Sequence, residues 1–91
     1  MTETEVNEQI REFVLESLAR REGIMNFADG DSLLENGVIT SIGIYRLVMF
    51  FEENFHIHVP DDDLVPDHFR TITHMGRYVR ERMIVTGRPT A

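Results

Sequence analysis

The chain has 91 residues, 42% of them hydrophobic, with no cysteine and a formal net charge of −7. This length supports one modest core and a single domain, 1–91. Without cysteine, disulfides, thiolate zinc sites and cysteine nucleophiles are all excluded. Every basic residue is Arg, and the charge is uneven. Residues 1–30 hold seven acids against three bases, residues 31–63 seven against one, and residues 64–91 two against five. No nucleic-acid partner is expected, because phosphate binding needs a basic face. The start, Met-Thr-Glu-Thr-Glu, is acidic and does not read as a signal peptide. The longest unbroken apolar run, Leu47 to Phe51, is far too short to span a membrane. A cytoplasmic protein with no membrane partner is expected.

Residues 3–20 read as a first helix. Val6, Ile10, Phe13, Val14 and Leu18 form one apolar stripe, Thr2 and Glu5 suit a capping box, and Gly23 marks the stop. Residues 24–40 show no sustained period. Asp29-Gly30, Asn36-Gly37 and scattered apolar residues from Ile24 to Ile39 suggest a long ordered loop packed on the helices. Loops of this length are uncommon and tend to be functional.

Residues 41–55 read as the second helix, with Thr40 as its N-cap and Ile44, Tyr45, Leu47, Val48, Phe51 and Phe55 as a wide apolar arc. His56 to Val59 is a short extended link before Pro60. The Asp61-Asp62-Asp63 turn leads to a very short helix near Pro66 to Phe69, with Pro at its first position. Thr71 caps a last helix running to about Met83, with Ile72, Met75, Tyr78, Val79 and Met83 inward. The ordered part is thus 3–83, and 84–91 is a frayed tail. The expected fold is all-α: a small four-helix bundle, three main helices and one short one, with a long ordered loop between the first two.

Little here suggests catalysis. No His lies beside a Ser in sequence, and no Gly-rich phosphate loop is present. His56 and His58 followed by three Asp offer a metal-binding alternative. The plainer reading turns both rings to solvent and lets the acids solvate a turn, since a site needs three or four convergent ligands. No metal is expected. Ser41 opens a helix after a long loop, where backbone N–H groups point outward and favour an anion. On these local features alone it reads more readily as one more capping residue in a Thr-Ser pair.

A wider pattern changes that balance. Gly37 to Ile42, then Leu47 to Phe55, then His58-Val59-Pro60-Asp61-Asp62-Asp63-Leu64 together resemble the acyl carrier protein family. Downstream, Asp67 to Ile72 and Tyr78-Val79 fit that family's third and fourth helices, so the resemblance covers roughly 5–83. The Gly four residues before the Ser resembles stand-alone specialised or aminoacyl carriers. The resemblance implies a non-catalytic carrier whose Ser41 holds 4′-phosphopantetheine through a phosphodiester. Cargo, acyl or aminoacyl, would ride as a thioester on the arm's thiol, which supplies the thiol chemistry a cysteine-free chain lacks. Implied partners are a phosphopantetheinyl transferase, an acyl- or aminoacyl-loading enzyme, and a downstream synthase or transferase of fatty acid, polyketide or nonribosomal biosynthesis. A monomer is expected.

The family's usual attachment letters, Asp-Ser-Leu, occur at Asp31-Ser32-Leu33, with Ser32 15 residues ahead of Leu47 and inside the loop. Helix register selects Ser41 instead. Two departures stand out: Thr40 replaces the usual Asp, and Gly43 and Arg46 occupy a stretch that is usually acidic. Acids resume at Glu52 and Glu53. Together with Thr40 and Arg46, these acids and the apolar Ile42 and Met49 form the expected partner surface, and the positive charge implies a partner surface different from the family's usual basic patches. The alternative function is an unmodified carrier-like interaction or regulatory module.

Overall fold

The structure is a computed structural model that describes residues 2–86, with side chains to Ile84. Helix α1 (Glu3–Val14) starts where Thr2 Oγ1 accepts the Glu5 amide at 3.2 Å and donates to the Glu5 carboxylate at 3.1 Å. The expected single helix over 3–20 is interrupted in one respect. Leu15–Ala19 widens into a π turn, followed by a 3-10 turn at Arg20–Glu22. Leu18 and Ala19, the last two residues of the π turn, are both buried in the core. Gly23, at φ +73°, ends the rod: its amide bonds Arg20 O and the Ile24 amide bonds Ala19 O, a complete Schellman closure.

The long loop is stitched down, as expected. Phe27, Leu33, Val38 and Ile39 are buried. The Leu33 amide donates to Arg70 O at 2.8 Å, the Thr73 amide to Asp29 O at 3.2 Å, and Arg11 holds Phe27 O at 2.5 Å and pairs with Asp29.

Helix α2 (Ser41–Phe55) matches its expected bounds, as does the short α3 (Pro66–Phe69) with Pro at its start. Helix α4 (Ile72–Thr86) begins where Thr71 Oγ1 accepts the His74 amide at 3.0 Å, and it runs three residues beyond the expected end. The expected frayed tail therefore still holds helix at 84–86; its remainder, 87–91, lies outside the described residues. A 3-10 turn over Asp61–Asp63 precedes α3. Among the described residues there is no strand, and no helix is long and apolar enough to cross a membrane.

The core joins Val6, Ile10 and Val14 of α1, Leu47, Phe51 and Phe55 of α2, Phe69 of α3, and Ile72, Met75, Tyr78 and Val79 of α4. The Phe51 and Phe69 rings stack with centroids 6.1 Å apart, and Phe13 stacks on Phe50 at 4.3 Å across the α1–α2 seam. One expected inward residue departs: Tyr45 is 65% exposed. Tyr45 sits about 160° around α2 from Leu47, on the far side of the helix from the Leu47–Phe51–Phe55 row.

Candidate functional site

The start of α2 is built by a sharp change in burial along four residues. Val38 and Ile39 are buried, while Thr40 and Ser41 are exposed. Asn36 Oδ1 accepts the Val38 amide at 3.1 Å, and Gly37 takes φ +81°, a left-handed turn that suits a glycine. The buried pair anchors the loop and so fixes where the next helix begins. Thr40 Oγ1 accepts the Gly43 amide at 3.3 Å and Thr40 O accepts the Ile44 amide at 2.9 Å. Capping thus falls to Thr40, and Ser41 occupies the first helical position with the first amides of α2 directed outward.

Ser32 sits in a different setting. Its Oγ accepts the Glu35 amide at 3.4 Å and its carbonyl the Asn36 amide at 3.1 Å, inside a turn of the loop. The next residue, Leu33, is fully buried, so this serine is tied into the loop's packing. Ser17 lies half-buried in the π turn, along the α1–α2 seam.

Along the solvent side of α2, Ile42, Tyr45 and Met49 are 73%, 65% and 60% exposed, a spacing of i, i+3 and i+7 that makes one apolar stripe. Arg46 is half-buried on the flank toward α1, and Glu53 lies exposed one turn beyond Met49. The structure therefore brings Ile42, Arg46, Met49 and Glu53 together, with Thr40 and Ser41 at their N-terminal end. Glu52 is turned elsewhere: its carboxylate accepts the Val59 amide at 3.0 Å and lies 3.3 Å from His58 Nδ1, bracing the 56–59 link. Tyr45 is the member that the sequence pattern had assigned inward. Its spacing from Ile42 and Met49 is the signal that places it outward.

Among the histidines and acids near the link, His58, His68 and Asp63 have partners within the fold. His56 and His58 are exposed, while Ile57 and Val59 between and after them are buried. His68 Nδ1 lies 2.8 Å from Asp63 O; a carbonyl only accepts, so that nitrogen carries the proton. The Tyr78 hydroxyl donates to Asp63 Oδ2 at 2.7 Å, and burial first, then this hydrogen bond, push the phenol well above its ordinary range. No three His, Asp or Glu side chains converge on a metal position among the described residues.

No family model matches the chain. A protein named acyl carrier protein, from Phenylobacterium zucineum (strain HLK1), is 32% identical to it over 81 residues, covering 88% of this chain and 96% of that protein.

Proposed function

This chain belongs to the acyl carrier protein family, and we propose that it holds an acyl or aminoacyl group on a 4′-phosphopantetheine arm attached to Ser41. The observation that carries this reading is the placement of Ser41: exposed, first in α2, and relieved of capping by Thr40. A phosphate ester on that hydroxyl would sit against outward amides at the positive end of the helix dipole. The residues present fit the group, because buried Val38 and Ile39 hold the attachment point rigidly while Ser41 itself stays accessible. When bound, the arm supplies the thiol on which cargo is esterified. The chain's own residues anchor it and present a docking face, Thr40, Ile42, Arg46, Met49 and Glu53 beside Ser41, to a phosphopantetheinyl transferase, a loading enzyme and a downstream synthase or transferase. Glu52 supports that face indirectly by bracing the link after α2.

Incubation with coenzyme A and a broad-specificity phosphopantetheinyl transferase, read by intact mass and peptide mapping, tests this. One arm per chain is expected on the Ser41 peptide, retained in Ser32→Ala and lost in Ser41→Ala. Modification that survives in Ser41→Ala would overturn the site. A chain that stays unmodified would instead support an unmodified interaction or regulatory module.

A further inference from the structure

Two shallow recesses that meet at Arg46 lie along α2, where it faces α1 and the π and 3-10 turns that follow α1. The first, about 190 Å³, lies beside Thr40 between Leu18 and Ile42, with Arg21, Glu22 and Arg46 at its edge. The second, about 240 Å³, runs past Met49 and ends at Glu53. Charge is therefore ordered along the seam: two cations and one acid around the recess beside Thr40, then Glu53 two turns of α2 beyond Arg46. Four other arginines, Arg11, Arg20, Arg70 and Arg80, have carboxylate partners in the fold. Arg21 and Arg46 have none among the described residues; the same holds for Arg77 and Arg82 on α4, but only Arg21 and Arg46 line these recesses, in a chain of net charge −7. Beside them lies the exposed stripe of Ile42, Tyr45 and Met49.

From this charge order we infer that the face next to Ser41 docks a partner protein that sets an apolar patch against Ile42, Tyr45 and Met49 and points carboxylates at Arg21 and Arg46. The inference rests on the carrier reading of Ser41 and names the chemistry of that carrier's partner. A basic rim would meet two unpaired cations at the point of closest approach, and like charges brought together at an interface act against binding. A second copy of this chain is the other occupant to test, because a two-fold contact through this face can set Arg46 against Glu53 of the other copy, and self-association through Ile42, Tyr45 and Met49 in size-exclusion chromatography would overturn the inference.

The test uses two fluorescent amphipathic helical peptides with the same Leu and Met face, one flanked by Glu and the other by Lys. Binding is read by anisotropy at physiological salt, on chain whose arm loading has been scored separately by mass and on unloaded chain. The Glu-flanked peptide should bind about fivefold tighter, the effect of two partly exposed ion pairs. That preference should vanish in Arg21→Gln/Arg46→Gln and reverse in Arg21→Glu/Arg46→Glu. Chemical-shift changes should centre on Ile42, Tyr45 and Met49. Equal or tighter binding of the Lys-flanked peptide, a preference unmoved by either double variant, or no binding of either peptide would each overturn the inference. Failure to load Ser41 would overturn the carrier reading alone, because the peptides report on the unloaded face as well.

Discussion

The hydroxyl of Tyr78 on α4 donates to Asp63 Oδ2 at 2.7 Å, tying the last helix to the acidic turn that precedes α3. The Tyr78 ring also stacks on His68 at 4.5 Å, and His68 in turn bonds Asp63 O. One acid, often the mark of a solvated turn, thus closes a small network over the end of the core.

Tyr78→Phe should cost about 1 kcal/mol at neutral pH, the worth of one such hydrogen bond. The folded phenol ionises above its ordinary value near 10. Its contribution is therefore fully present below pH 10 and is lost as pH rises further, because only the unfolded chain then releases the proton. Urea unfolding at pH 8 and at pH 11 should show the gap between wild type and Tyr78→Phe shrinking at the higher pH. A gap that stays constant or widens would refute the linkage.

A second close contact lies between α1 and α4. A Cβ added at buried Gly76 would overlap Asn7 Oδ1 and fall 2.9 Å from Asn7 Cγ, and that Oδ1 has no hydrogen-bond partner among the described residues. Gly76→Ala alone should destabilise by about 1–3 kcal/mol through overpacking. With Asn7→Ala the clash is gone, and Ala should recover about 1 kcal/mol of helix propensity over Gly. Denaturation of the four proteins gives the coupling, and simple additivity would show that Asn7 swings aside freely.

Leu33→Ala should cost about 2–5 kcal/mol, as a core truncation does, although Leu33 belongs to the long loop. The side chain is fully buried and its amide is bonded to Arg70 O. A change below about 0.5 kcal/mol, ordinary for a surface site, would mean that the loop is not part of the core.

His56 ends α2 at φ +54°, the left-handed region. His56→Gly should raise stability by about 0.5–1 kcal/mol, the relief of left-handed strain less the added freedom of the unfolded glycine. A thermal melt checks the sign.

Thr40→Asp should keep the fold, because Asp caps as well as Thr and its charge suits the helix start. Combined with Arg46→Glu, it should speed modification by a transferase with a basic docking surface, and the gain should shrink as salt rises. Initial rates at two ionic strengths are the measurement. Equal rates at low salt would show that these two positions do not set recognition.

Local signals suffice for several features of this chain. The N-caps Thr2, Thr40 and Thr71, the stop at Gly23 and the Pro66 start are each decided within one turn of backbone, so the helix positions were legible in sequence. The same cap places Ser41 first in α2, and the period of Leu47, Phe51 and Phe55 marks the buried side. Other features depend on residues far apart in sequence. The π turn at Leu15–Ala19, with Leu18 and Ala19 both buried, has no counterpart in the 3.6-residue period of the sequence. Glu52 reads as a surface acid until the link folds back and offers it the Val59 amide. Arg21 and Arg46 become neighbours of one recess only when the 3-10 turn after α1 comes against α2, and Tyr45 is left outside because Leu47 and Phe51 already fill the inner side of that helix. Periodicity gives each helix an apolar arc, but the width of that arc that is covered depends on the neighbouring helices, and only tertiary packing decides it.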